Sequence, residues 1–330
     1  MKIVIPGGSG HLGTLLARQF HRRGDEVVVL SRRPHATRWR MVQWDGRTAG
    51  EWVKEIDGAD VVINLAGRSV NCRYNAKNRE EILASRILSA RAVGEAIAAS
   101  ARPPRLWIQA STATIYAHRY VTNDEYKGIL GGRELDAPDS WRFSVDVARA
   151  WEDWVDDANT PTTRKIKLRS AIVMSPERRA PFEILLRLAR FGLGGRAGNG
   201  AQFVSWIHHL DFVRAVEWII EDEDICGVVN VASPNPLPNE EFMRAIREGW
   251  GIGFGLPASR WMLEIGAAII GTETELLLKS RRVVAQKLLD HGFEFRFPTW
   301  PDAARDLCDE WRELNGRELR RHVLAGSSRF

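Results

Sequence analysis

Short apolar runs alternate with segments of helical periodicity through residues 1–175. Strands that are buried on both faces read as continuous apolar runs, so this alternation is typical of a parallel sheet covered by helices on both sides. The strand candidates are Lys2–Pro6, Glu26–Leu30, Met41–Trp44, Ala59–Leu65, Arg105–Ala110 and Lys167–Val173. The helix candidates are His11–Arg23, Ala49–Ile56, Asn78–Ser100 and Phe143–Asp157. The pattern therefore predicts an α/β protein with a Rossmann-type, doubly wound parallel sheet.

The pattern changes after Ser175, and prolines at positions 234, 236 and 238 mark a second boundary. Phe182–Phe191 and Leu210–Ile220 have helical spacing, Val228–Val231 has the character of one more strand, and the remainder is mostly helical. We therefore expect two lobes. A Rossmann domain would comprise residues 1–175 and 207–231, and a smaller, mostly helical C-terminal lobe would comprise residues 176–206 and 232–330.

The composition is that of an ordinary globular protein, with 44% hydrophobic and 27% charged residues. The longest apolar segment, Trp261–Gly271, is interrupted by Glu264 and is shorter than the ~20 residues that a membrane span requires. The net charge of +5 suggests nucleic-acid binding, but the basic residues are spread among nearly as many acids. Three widely spaced cysteines indicate reduced thiols in the cytoplasm and no metal site. We expect no membrane and no nucleic-acid partner.

The strongest chemical signal follows the first predicted strand. The sequence Gly7-Gly8-Ser9-Gly10-His11-Leu12-Gly13 has the G-x-x-G-x-x-G spacing of a dinucleotide-binding loop. The first glycine permits a tight turn, the second lets the backbone approach a pyrophosphate, and the third lets the helix pack closely on the strand. The free N–H groups of the following helix then receive the phosphates. The predicted cofactor-binding residues of this loop are Gly7, Ser9, Gly10, His11, Leu12 and Gly13.

The end of the second strand indicates which dinucleotide is bound. NAD sites usually carry an acid there to hold the ribose 2′-hydroxyl, whereas this chain has Ser31, Arg32 and Arg33. Two guanidinium groups and a hydroxyl suit the doubly charged 2′-phosphate of NADP(H). The alternative is that both arginines are ordinary surface residues. We predict NADP(H) as the cofactor.

Two further strand ends are predicted to contact the cofactor. Leu65, Ala66 and Gly67 follow the fourth strand, where their small size would let the cofactor ribose approach. Trp44 and Asp45 close the third strand, where the adenine edge is expected. For Asp45, a simple role in the turn is the alternative.

Short motifs occur in a fixed order along nearly the whole chain. They are the Gly7–Gly13 loop, Ser31–Pro34, Asn64–Gly67, Ser85–Ile87, Phe191–Gly195, Ser205–His208, Asn239–Phe242 and Leu278–Val283. With these motifs the chain resembles the atypical extended short-chain dehydrogenases/reductases called epimerase family proteins, of the NAD-dependent epimerase/dehydratase type. The last motif would lie in the small C-terminal module of that family. Pro6 is a departure, because relatives usually have threonine there, and proline removes one N–H donor.

The resemblance implies a catalytic hydroxyl residue, a proton-transferring tyrosine and a lysine that lowers the tyrosine pKa. Thr112 matches the hydroxyl position. If Glu152 matches the family glutamate that follows the lysine by four residues, Ser144 and Ala148 occupy the tyrosine and lysine positions. Serine is a far weaker acid than a phenol and alanine carries no charge, so the usual proton relay is missing.

Other side chains are candidates for the missing roles. Tyr116 is the phenol nearest to Thr112 in sequence and could donate a proton or contact substrate, and Arg149 could supply positive charge or be a solvated surface residue. The resemblance also puts the Ser-Trp-Ile-His segment near the cleft between the lobes. Trp206 and His208 are therefore predicted substrate-side residues, with a core or hinge role as the alternative for His208.

These features predict an NADP(H)-binding oxidoreductase or epimerase-like enzyme that acts on an unidentified small carbonyl or sugar-like substrate. The missing Tyr-x-x-x-Lys pair keeps a second hypothesis open, a non-catalytic regulatory protein that senses NADP(H). A small-molecule substrate is the expected partner, and a homodimer is a possible assembly.

Overall fold

The computed structural model describes residues 1–135, 137–259, 261–264, 273 and 275–327. The strands are β1 (Lys2–Pro6), β2 (Glu26–Ser31), β3 (Arg40–Gln43), β4 (Val61–Asn64), β5 (Leu106–Thr112), β6 (Arg164–Ser170), β7 (Ile172–Met174), β8 (Phe203–Val204), β9 (Trp206–His208), β10 (Gly227–Val231) and β11 (Leu237–Pro238). The helices are α1 (His11–Arg23), α2 (Val53–Ile56), α3 (Ala76–Ala98), α4 (Asp139–Asp157), α5 (Pro181–Arg190), α6 (His209–Glu221), α7 (Asn239–Trp250), α8 (Glu275–Leu278), α9 (Gln286–Asp290) and α10 (Trp300–Ser327).

One parallel sheet organises the fold, with the strand order β3-β2-β1-β4-β5-β6-β10. The chain winds outward in one direction from β1 to β3 and then in the other direction from β4 to β10. The loops after β1 and β4 therefore part at the point where the order reverses, and in such sheets this point is where ligands bind. The predicted Rossmann-type fold is confirmed.

Alternate residues of each strand point to opposite sides of the sheet, so both faces carry apolar side chains and helices cover both. Ile3 and Ile5 of β1 are fully buried in a core that includes residues of α1 and α6. Val4 faces the other way, into a second core with residues of α3 and α4. This two-sided burial explains why the strands read as continuous apolar runs.

A third core lies apart from the large sheet. Residues of α5, α7 and α10 pack together there, and the rings of Phe242 and Trp300 stack with centroids 4.1 Å apart. Two small sheets, β8 with β11 and β7 with β9, accompany it. A separate core is what a second lobe would require, and the boundaries of that lobe stay a prediction.

Several elements differ from their predicted bounds for local reasons. The third helix begins at Ala76, because the Asn75 side chain accepts the N–H of Asn78 and caps the first turn. The fourth helix begins at Asp139, directly after Pro138, a residue that is restricted to a φ compatible with the start of a helix. Within Trp261–Gly271, residues 261–264 are helical and the others lie outside the described residues. None of the described helices combines the length and apolar character needed to cross a membrane.

Candidate functional site

A cavity of about 470 Å³ lies at the carboxyl ends of β1, β4 and β5, where the strand order reverses. One wall is mostly backbone, from the glycine loop after β1 and the segment after β4. We call it the cofactor wall, formed by Gly7, Gly10–Gly13, Leu65 and Gly67. Much of the remaining lining is side chains, and we call the part formed by Tyr74, Arg86, Thr112, Ser144, Ala148 and Glu275 the reaction wall.

The three spaced glycines of the cofactor wall have different surroundings. Gly7 has a φ of +75°, and a Cβ there would lie 2.6 Å from the backbone of Ala66. A Cβ at Gly13 would lie 2.3 Å from the Cα of Gly8. At Gly10 an added Cβ would meet only the carbonyl oxygen of Gly7, at an ordinary 3.5 Å. Gly7 and Gly13 therefore serve backbone packing, whereas Gly10 leaves open space where a pyrophosphate can approach the chain.

Helix α1 begins beside this open space. Its N-cap is Gly10, its first turn holds no acidic residue, and no described side chain caps its free N–H groups. These groups carry the partial positive charge of the helix N-terminus, which favours a bound anion. The ring of His11 is held in place, because its Nε2 lies 2.7 Å from Ser175 Oγ and 2.9 Å from Glu177 Oε2. The loop and helix therefore fit a dinucleotide phosphate.

The end of β2 lies next to the loop. Ser31 Oγ donates to Ser9 Oγ at 3.0 Å and accepts the N–H of Arg33 at 3.2 Å. Arg32 and Arg33 are exposed, and neither guanidinium has an ion-pair partner among the described residues. Both are therefore available to a phosphate group, and their contact with NADP(H) stays a prediction.

The remaining predicted cofactor residues divide into two kinds. Leu65 and Gly67 line the cavity, while Ala66 packs its backbone against Gly7. Trp44 is buried against Trp52, with ring centroids 5.0 Å apart. Asp45 lies in a turn and does not line the cavity, and its carboxylate accepts the N–H groups of the residues two and three positions later, at 2.8 and 2.9 Å. These contacts are those of a turn residue, which is the alternative role that the sequence analysis gives for Asp45.

On the reaction wall, Thr112 lies at the end of β5 and its Oγ1 accepts the N–H of Thr114 at 3.2 Å. Ser144 and Ala148 line the cavity from α4, one helical turn apart. The two positions that the resemblance assigns to tyrosine and lysine therefore do border the cavity, with a hydroxyl and a methyl group in their place.

Three polar side chains of this wall escaped the sequence reasoning: Tyr74, Arg86 and Glu275. The hydroxyl of Tyr74 lies 3.5 Å from Ser144 Oγ, and Ser144 donates to Glu275 Oε2 at 2.5 Å. Arg86 belongs to a motif that the resemblance includes, but that motif assigned it no role. No spacing rule connects the other two, because one precedes α3 and the other lies in the C-terminal segment.

Burial sets the charge state of two of these groups. It raises the pKa of Tyr74 above the ordinary value of a phenol, and the hydrogen bond with Ser144 opposes that shift. Burial lowers the pKa of Arg86 to about 10, so this guanidinium stays charged at neutral pH. Arg86 donates to the carbonyl oxygens of Arg68 and Ile82 at 3.2 and 3.0 Å and lies over the ring of Trp151. The wall therefore offers a protonated phenol and a fixed cation.

The two predicted alternatives for the missing chemistry lie away from the cavity in the described structure. The buried hydroxyl of Tyr116 donates to Asn230 Oδ1 at 2.9 Å and accepts from Arg169 Nη1 at 3.1 Å. Arg149 donates from Nη2 to the carbonyl oxygen of Gly131 at 3.0 Å. Both side chains are engaged within the protein, and this corrects the expectation that they face a substrate.

Tyr116 belongs to a buried network behind the reaction wall. Arg169 forms an ion pair with Glu152 through contacts of 2.8 and 2.6 Å, and Ser111 donates to the same carboxylate at 2.5 Å. The network joins β5, β6 and α4 and thus fixes the elements that carry Thr112 and Ser144.

Trp206 and His208 also lie outside the cavity, so far as the described residues define it. Trp206 is fully buried, with its ring 4.7 Å from that of Trp300. His208 is fully buried and stacks on Phe297 at 4.0 Å, and burial lowers its pKa to about 2. The predicted substrate-side position is corrected, because every residue of the short strand β9 is buried, with Trp206 in the third core and Ile207 in the core that contains Ile3 and Ile5.

Residue types that bind metals do meet at one place, although the cysteine spacing predicted no metal. The ligating atoms of His208, His209 and Glu310 lie within 4.8 Å of one another. His209 Nε2 is 2.8 Å from Glu310 Oε2, and His208 Nε2 is 3.3 Å from Asp306 Oδ2. We interpret the hydrogen-bonded pair of His209 and Glu310 as a contact that holds α10 to the start of α6.

Comparison with known proteins agrees with this geometry. Residues 3–128 match the NAD dependent epimerase/dehydratase family, and residues 258–307 match a domain of unknown function, DUF1731. Epimerase family protein SDR39U1 from Bos taurus is 29% identical over 314 residues, which cover 93% of this chain and 99% of that protein. Epimerase family protein YfhF from Bacillus subtilis (strain 168) is 29% identical over 303 residues, or 90% of this chain and 94% of the relative.

A solved structure extends the similarity to three dimensions. The crystal structure of human epimerase family protein SDR39U1 (isoform 2) with NADPH superposes with a TM-score of 0.81 at 26% identity, covering 94% of this chain and 99% of that one. The family and the C-terminal module that the motifs predict are thus confirmed. The chain is thus similar to epimerase family proteins over nearly its whole length, with residues 3–128 matching the NAD dependent epimerase/dehydratase family and residues 258–307 matching DUF1731.

Proposed function

We propose that this protein is an NADP(H)-dependent oxidoreductase or epimerase-like enzyme that acts on a small carbonyl or sugar-like substrate. One observation carries the proposal: a single cavity is lined both by the glycine loop at the start of α1 and by the hydroxyl-bearing side chains of Thr112, Ser144 and Tyr74. Its volume of about 470 Å³ lies within the range of small-molecule sites.

The cofactor wall would hold NADP(H) through its own groups. The free N–H groups at the start of α1 would bind the diphosphate beside Gly10, and Arg32 and Arg33, the latter positioned by its N–H bond to Ser31 Oγ, would bind the 2′-phosphate. NADPH in the human SDR39U1 structure supports this choice of cofactor. When bound, the nicotinamide supplies or accepts a hydride.

The reaction wall would handle the substrate. Thr112 holds the substrate oxygen with its hydroxyl hydrogen, which is free to point into the cavity because Oγ1 already accepts from Thr114. The fixed charge of Arg86 stabilises negative charge on that oxygen.

Steady-state turnover tests the proposal. NADPH is supplied with a panel of aldehydes, ketones, quinones and nucleotide sugars, and its oxidation is followed by absorbance. We expect Thr112→Val to abolish turnover and to leave the Kd for NADPH within about twofold, a difference of ~0.4 kcal/mol. The exposed Thr162→Val is the matched control and should keep full activity. NADPH oxidation that persists in Thr112→Val contradicts the role of Thr112.

The second candidate function is a regulatory protein that binds NADP(H) without turning it over. The observation that favours it is that Ser144 and Ala148 stand at the cavity in place of the tyrosine and lysine. Tight NADPH binding without turnover of any compound in the panel would support this candidate and overturn the enzyme proposal.

A further inference from the structure

Tyr74 brings a phenol hydroxyl to the cavity from an unexpected segment. It lies between β4 and α3, yet its hydroxyl lies 3.5 Å from Oγ of Ser144, on α4. Ser144 stands where the family resemblance assigns the proton-transferring tyrosine. The acid that is missing from α4 is therefore present next to that position, carried by another part of the chain.

The segment around Tyr74 is held on both sides. Its backbone N–H donates to Glu273 Oε1 at 2.9 Å, and its carbonyl oxygen accepts from Arg79 Nε at 2.8 Å. Its ring packs edge-on against Phe143 with centroids 5.2 Å apart. The phenol is thus fixed at the reaction wall.

Ser144 and Glu275 define how the phenol can bond. Ser144 has one hydroxyl hydrogen, which can go to Glu275 Oε2 at 2.5 Å or to the hydroxyl oxygen of Tyr74 at 3.5 Å. In both contacts Ser144 is the donor, so the hydroxyl oxygen of Tyr74 is an acceptor toward Ser144. The hydroxyl hydrogen of Tyr74 stays available to the cavity. The buried carboxylate of Glu275 is held in turn by Lys279 Nζ and Arg281 Nη2, at 3.6 and 3.7 Å.

We propose that Tyr74 is the catalytic acid and base of the reaction and that Ser144 and Glu275 are its positioning residues. This inference rests on the proposed function. In the reducing direction, the carbonyl carbon gains a hydride from NADPH, which is oxidised to NADP⁺. The carbonyl oxygen gains the proton of Tyr74 as the phenol O–H bond breaks. A proton from the solvent then restores the phenol. The net change consumes one NADPH and one solvent proton, and the carbonyl compound becomes an alcohol.

The charges around Tyr74 agree with this role. Burial raises the pKa of the phenol, Ser144 lowers it by hydrogen bonding, Glu275 raises it and Arg86 lowers it. The residue is therefore protonated at neutral pH, as an acid must be, and Arg86 supplies the positive charge that the missing lysine would give to the phenolate.

Replacement of the phenol tests the catalytic role. We expect Tyr74→Phe to lower kcat at least ~100-fold, the usual contribution of a general acid, while the Kd for NADPH changes less than about twofold. Tyr126→Phe, which removes the same hydroxyl from an exposed ring, is the matched control and should keep the natural rate.

The two proposals fail in different ways. If the natural protein turns over a substrate and Tyr74→Phe does so equally well, this inference is overturned and the proposed function stands. If the natural protein turns over none, the proposed function is overturned, and with it the catalytic role of Tyr74.

Tyrosinate absorbance gives a readout that needs no turnover. The chain has only 4 tyrosines, so subtracting the pH titration of Tyr74→Phe from that of the natural protein isolates Tyr74. We expect Glu275→Gln to lower the pKa of Tyr74 and Ser144→Ala to raise it, because the first removes a negative charge and the second a hydrogen bond. A purely structural role for Glu275 predicts no change in that titration, and that result would overturn its assignment as a positioning residue.

Discussion

The two walls of the cavity are built in different ways. Most of the cofactor wall is backbone from residues that are close in sequence. One loop and the start of one helix form it, within a few residues of β1. The reaction wall consists of side chains from residues that are far apart in sequence, because four separate segments supply Tyr74, Thr112, Ser144 and Glu275. Binding of a common cofactor therefore depends on local geometry, whereas the chemistry depends on how distant segments pack.

The largest expected effect concerns the support of the reaction wall. Glu152→Gln should lower the free energy of unfolding by about 3 kcal/mol, because it leaves the buried guanidinium of Arg169 without its counter-charge. Urea unfolding measures this. Asp153→Asn, at the exposed neighbouring position, should cost less than about 0.5 kcal/mol. Equal effects of the two variants would show that the ion pair does not hold this wall.

The glycines sharpen the contrast within the cofactor wall. Gly13→Ala should destabilise the protein by about 2 kcal/mol, because its Cβ would meet the backbone of Gly8 at 2.3 Å. Gly10→Ala should cost less than about 1 kcal/mol of stability but weaken NADPH binding, because its methyl group would occupy the open space. Thermal unfolding and NADPH titration of both variants test this, and reversed effects would contradict the assigned roles.

The arginines after β2 test the choice of cofactor. Arg32→Ala should weaken NADPH binding about tenfold, or ~1.4 kcal/mol, and leave NADH binding unchanged, because only NADPH carries the 2′-phosphate. Arg38→Ala removes a similarly exposed arginine a few residues later and should change neither affinity. A parallel loss of NADH affinity in Arg32→Ala would make this residue a structural one.

The smallest expected effect tests the corrected position of His208. Its pKa is low in the folded protein and near the ordinary value of 6.5 in the unfolded chain. Below that pH the unfolded state binds a proton that the folded state does not bind, so the free energy of unfolding falls as the pH falls. Between pH 7.5 and 6.0 this residue should account for a loss of about 0.8 kcal/mol.

A matched substitution isolates that contribution. His208→Asn can keep an acceptor for the N–H of Leu210, which His208 Nδ1 accepts at 3.2 Å, but it cannot titrate. Urea unfolding at the two pH values should therefore show a smaller loss in the variant. The same loss in both proteins would mean that His208 is exposed to solvent, as a substrate-side residue would be.

What the sequence could predict follows the division between the two walls. The glycine loop, Arg32 and Arg33 directly follow apolar strands in the sequence. Their position can therefore be predicted from spacing and from the rule that ligands bind at the carboxyl ends of parallel strands. Thr112, Ser144 and Ala148 were found only because the family resemblance aligns them. Their presence at the cavity agrees with that alignment.

The sequence could not predict the partners of Ser144. Tyr74 precedes α3 and Glu275 opens α8, and no local pattern shows that both pack against α4. Trp206 and His208 were misplaced for the opposite reason. A three-residue strand next to a cleft can face either the cleft or the interior, and here β9 is buried, with Trp206 in the third core and Ile207 in the first.

Calorimetric titration of the natural protein with NADPH and with NADH tests the central claim most directly. The account predicts that NADPH binds at least about tenfold more tightly, because the amides at the start of α1 hold the diphosphate of both cofactors and the arginines after β2 hold the 2′-phosphate of one. Equal affinities, or no binding of either nucleotide, would contradict it.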